Sequence, residues 1–76
     1  MKAVSDAYLE GVSLGYLDGE ELTGEGLGRH WDALEEAKEE VRDVRRAGSN
    51  RSRRAHCLGY LRGLREAIHD YEEGTP

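Results

Sequence analysis

Leu14-Gly-Tyr-Leu-Asp-Gly19 returns later in the chain as Leu58-Gly-Tyr-Leu-Arg-Gly63, and the reading of this pair decides the fold. Each hexapeptide lies inside a ladder of small residues at four-residue spacing. The first ladder is Ala7, Gly11, Gly15 and Gly19; the second is Ala55, Gly59, Gly63 and Ala67. On a helix, that spacing lines the rungs up in one stripe. A Leu-Gly-Tyr-Leu strand also fits locally, but Val4, Tyr8, Leu9, Val12, Tyr16 and Leu17 keep a helical rhythm around it. Glycine inside a helix costs about 1 kcal/mol relative to alanine, so ladders of this kind require a packing or binding reason.

Working outward, the sequence predicts three helices. Ser5 reads as an N-cap, and the first helix runs over about 5–18. Residues 19–26 are rich enough in glycine to form a loop. The second helix spans about 27–47, with Leu27, His30, Leu34, Ala37, Val41 and Val44 on a heptad seam. Gly48 stops it, and residues 48–50 turn the chain, with Ser49 or Asn50 as the next cap. The third helix spans about 51–71, with Cys57, Leu61, Leu64, Ile68 and Tyr71 on its seam. Residues 72–76 are expected to fray. The fold class is all-α: two glycine-laddered helices flanking a longer acidic-faced one in a single domain over 1–76. Ser5-Asp6 and Ser49-Asn50 share the hexapeptides' 44-residue offset, as a duplicated helix would.

At 76 residues the chain buries roughly 60% of its unfolded surface, a marginal core for one copy alone. A single Cys excludes an internal disulfide, so a homodimer or a partner-stabilised fold is expected. No run is long and apolar enough for a membrane span or a signal peptide, and a cytoplasmic protein is the expectation.

Charge is segregated along the chain. Residues 1–40 carry a net of −8, residues 41–65 a net of +7, and residues 66–76 a net of −4. Asp32, Glu35, Glu36, Glu39, Glu40 and Asp43 fall on the face of the second helix opposite its apolar seam. Carboxylates regularly spaced along a rod suit a basic surface that otherwise holds nucleic acid. Around the second turn stand Arg45, Arg46, Arg51, Arg53 and Arg54. Guanidinium groups pair bidentately with phosphate or carboxylate, and three of these sit at a helix N-terminus, where the dipole disfavours them.

The helical wheel places the first ladder in the core, where bare backbone admits a close helix crossing. It places the apolar arc of the third helix around Cys57, Leu61 and Ile68. Ala55, Gly59 and Gly63 then face solvent among Ser52, His56, Arg62, Glu66 and Asp70, as a docking groove would.

No catalytic constellation is present. His56 and Cys57 are adjacent and are expected on different faces, and no His or Cys pair has metal-ligand spacing. Cys57 and His30 read as core or boundary residues, and Trp31 and the tyrosines as core or interface anchors. Gly24-Glu-Gly-Leu-Gly28 lacks a preceding strand and a phosphate-binding Lys, so it reads as a loop. Catalytic residues, metal and cofactor are therefore expected to be absent.

Gly11-x-x-x-Gly15-Tyr16-x-x-Gly19 and Gly63-Leu-Arg-Glu-Ala67 resemble the two helices of the ribosome modulation factor family over about a third of the chain. That resemblance implies ribosome binding; the long acidic middle helix departs from the family's basic pattern.

The sequence thus points to a non-enzymatic protein-binding module. Its most concrete form is a small acidic inhibitor or adaptor that docks on the nucleic-acid-binding surface of a larger complex. The composition parallels that of phage-encoded inhibitors of host defence such as anti-CRISPR proteins, an analogy of composition alone. Two alternatives stand beside it: an RNA- or ribosome-binding regulator acting through the Arg turn, and a structural homo-oligomer.

Overall fold

The computed structural model describes residues 4–48 and 50–74, which form α1 (Val4–Glu25), α2 (Arg29–Arg46) and α3 (Arg51–Gly74). No strand occurs among the described residues. The three helices make the small all-α bundle that the periodicity predicts, but α2, with 18 residues against 22 and 24, is the shortest and not the longer helix expected, because the glycine-rich stretch before it joins α1.

α1 and α3 lie side by side and point the same way, because contacts climb both helices together. Gly11 meets His56 and Tyr60, Gly15 meets Tyr60 and Leu64, and Gly19 meets Leu64 and Ala67. The seam between them is backbone on backbone. A Cβ on Gly11 would stand on the His56 carbonyl oxygen and 2.9 Å from the Tyr60 nitrogen. One on Gly63 would stand on the Val12 carbonyl oxygen and 2.7 Å from the Tyr16 nitrogen. Each α-hydrogen in that direction points at a carbonyl oxygen, a weak contact of about 0.5–1 kcal/mol.

The two ladders interlock reciprocally. Gly11 faces the His56 carbonyl as Gly59 faces that of Tyr8, and Gly15 faces the Tyr60 carbonyl as Gly63 faces that of Val12. One offset of 48 residues relates every member of these pairs. The packing register is therefore one helical turn longer than the 44-residue offset of the hexapeptides.

Two tyrosine straps cross the seam. Tyr16 Oη donates to Asp70 Oδ2 at 2.7 Å, and Tyr60 Oη donates to Asp18 Oδ2 at 2.5 Å. Each hydroxyl reaches an Asp six residues beyond its own level on the facing helix.

This seam corrects the wheel reading of the second ladder. Gly59 and Gly63 are buried against the backbone of α1, and Ala55 is buried as well, so none of the three is open to solvent. The groove they form is already filled by the chain's own first helix. α3 therefore buries two faces, one of glycine against α1 and one apolar against α2.

The second face holds the side-chain core: Ala37 and Val41 of α2 pack with Leu61, Leu64 and Ile68 of α3. Leu64 is fully buried. α2 rests mainly on α3 and touches α1 little.

The helix boundaries move for local reasons. α1 continues through the expected loop to Glu25, since Gly19 is a buried rung and Thr23 adds another. Thr23 Oγ1 donates back to the Gly19 carbonyl at 2.9 Å. Gly26, at φ 70°, ends the helix, and Gly28, at φ 74°, precedes α2. Leu27 lies in this connection, outside the helix expected to start there. Ser5 lies inside α1 instead of capping it. Gly48 has the left-handed conformation expected of a stop, at φ 68°. Asn50 caps α3, accepting from the Arg53 backbone N–H on Oδ1 at 2.8 Å; Ser49 lies outside the described residues. α3 extends through Gly74, so 72–74 belong to the helix, while 75–76 lie outside the described residues.

Candidate functional site

α2 presents its acids outward because its opposite side is committed to α3. Ala37, Val41 and Val44 are buried there, and Asp32, Glu35, Glu36, Glu39, Glu40 and Asp43 are all exposed. Among the described residues, Glu35 is the one member of the stripe in an ion pair, with Lys38 at 3.3 Å. The remaining pairs lie elsewhere: Arg29–Glu25, Arg62–Glu66 and His69–Glu73. All are exposed, the first spanning the α1–α2 connection and the other two one helical turn apart, and such pairs contribute little to stability. No ion pair among the described residues joins the acidic stripe to the Arg turn.

The Arg turn divides in three dimensions. Arg45, Arg51 and Arg54 border a cavity of about 350 Å³ between the end of α2 and the start of α3. Its remaining lining is wholly apolar: Val4, Val41, Val44, Ala55 and Leu58. Arg46 and Arg53 are exposed and do not border it. Arg spacing alone carried no sign of the apolar floor, because Val4 is distant in sequence and reaches the site only through the α1–α3 seam.

His56 and Cys57 both border a second cavity of about 310 Å³, with Glu36, Glu40 and Tyr60. Cys57 lies at its edge, with Sγ 3.8 Å from Glu40 Oε1. Burial pushes the thiol up from its ordinary range, and the Glu40 carboxylate adds to the effect. The neutral thiol is thus the favoured form. No cluster of three His, Cys, Asp or Glu side chains among the described residues has metal-binding geometry.

His30 is buried between the Trp31 and Tyr71 rings, at centroid distances of 4.8 and 5.8 Å, and its Nδ1 has no hydrogen-bond partner. Trp31 itself is half exposed. On α1, the small residues face inward, so Leu9, Leu14 and Leu17 remain exposed. No helix among the described residues is long and apolar enough to cross a membrane. The chain matches no protein-family model, no curated protein and no solved structure.

Proposed function

We propose that this protein is a non-enzymatic binding module of the cytoplasm. Its acidic α2 face docks on a basic protein surface that otherwise holds nucleic acid. The observation that carries the reading is the stripe itself: six exposed carboxylates, of which Lys38 pairs with Glu35 alone among the described residues. Like charges one turn apart repel by a few tenths of a kcal/mol each, a strain that a basic partner relieves. The rod-like spacing of the stripe suits a groove lined for phosphates, so the module would act as an inhibitor or adaptor of a nucleic-acid-binding complex.

The test is capture of such a complex from the native host on the immobilised protein, followed by competition with added RNA or DNA. Support consists of a captured complex that the nucleic acid displaces, together with loss of capture when Glu36, Glu39 and Glu40 are each changed to Lys. Undiminished capture by the triple variant overturns the reading, as does direct, salt-sensitive binding of RNA by the free protein. Sedimentation of the same samples adds a further arm. A homodimer joined through Leu9, Leu14 and Leu17 that binds no basic partner also overturns it.

A further inference from the structure

The cavity at the α2–α3 turn combines two features that the acidic face does not explain: an apolar floor and a cationic rim. We propose that it binds a small amphipathic anion, a single carboxylate on a compact aliphatic or aromatic body. At about 350 Å³ it lies at the small end of ligand sites, which span roughly 300–1,000 Å³. Val41, Val44 and Leu58 supply apolar contact for the body.

Arg45, Arg51 and Arg54 border the cavity, and none has a carboxylate partner among the described residues. Arg51 and Arg54 stand three residues apart in the first turn of α3, where their mutual repulsion and the helix dipole both oppose them. A bound carboxylate relieves both, and guanidinium groups offer it paired donors. A nucleic-acid strand fits less well, since the floor has no polar group for sugar hydroxyls. A chain of phosphates would also engage Arg46 and Arg53, which lie off the cavity. The proposal is independent of the acidic-face reading, and either can fail alone.

The test is an NMR titration of the whole chain with sodium octanoate, with octanol as the neutral counterpart and acetate as the bare head group. Saturable shifts confined to the surroundings of Val41, Val44, Ala55 and Leu58 are expected, with octanol about tenfold weaker and acetate silent. Changing Arg51 and Arg54 together to Gln should weaken octanoate about tenfold and leave octanol unaltered. Neither side chain has a partner to lose among the described residues, so the fold should persist. Equal affinity for octanol and octanoate, unaltered octanoate binding by the double variant, or no localised shift at millimolar octanoate would each overturn the proposal.

Discussion

The α-carbon of Gly15 lies so close to the Tyr60 carbonyl oxygen that no side chain fits between them. A Cβ there would also approach the Leu64 nitrogen to 3.0 Å. The obstacle is helix backbone, which cannot rotate aside as a side chain can.

Gly15→Ala should therefore destabilise the protein although alanine favours the helix by about 1 kcal/mol. Overpacking against backbone outweighs that gain, for a net loss of at least about 2 kcal/mol in urea unfolding. Gly24, in the same helix, is exposed with nothing near its Cβ position. Gly24→Ala should raise stability by about 0.5–1 kcal/mol. Matching shifts in the two variants would contradict the interlock.

Tyr60 links the seam to alkaline pH. Burial, then the hydrogen bond to Asp18, pushes its hydroxyl up from 10.0 to about 12. The folded state thus holds this proton more tightly than the unfolded chain does. The associated stability is fully present below pH 10 and declines as pH rises towards about 12. Tyr60→Phe should flatten that decline and remove the highest step from the tyrosinate absorbance titration. A parental protein with no loss of stability across this window would refute the assignment.

His30 offers a test of buried polarity. Its Nδ1 lacks a partner while its ring packs between Trp31 and Tyr71. Phe at this position keeps a ring and removes the orphaned atom, so His30→Phe should raise stability by about 1–2 kcal/mol. A lower thermal midpoint would show that the imidazole makes a contact worth more than its burial costs.

The α2–α3 pairing was legible from Val41, Leu61, Leu64 and Ile68, because apolar side chains announce a buried face. The inward position of Gly11 and Gly15 was legible as well, since the small residues sat within the apolar arc of α1. The partner of that stripe was not. α3 has two buried faces, and only the one bearing Cys57, Leu61 and Ile68 carries a hydropathy signal. Gly59 and Gly63 bury backbone, whose contacts leave no mark on a helical wheel. The acidic face could be read directly, being set by the side of α2 opposite Ala37 and Val41. Thr23 and Val4 were missed for different reasons. Thr23 continues the ladder in a residue that is small but not glycine or alanine, and Val4 reaches its cavity only through the tertiary fold.

The ladder's four-residue period also makes the relative height of α1 and α3 discontinuous. A slide of one, two or three residues would drive a Cβ into the opposite backbone. A slide of four sets glycine against backbone again in one direction, whereas in the other it carries the Cβ of Ala7 or Ala67 into a close contact. The tyrosines distinguish these registers from the native one: one turn either way would offer Tyr60 the side chain of Leu14 or Leu22 where Asp18 now accepts. The glycines thus work as the teeth of a ratchet, and the Tyr–Asp pairs select the tooth.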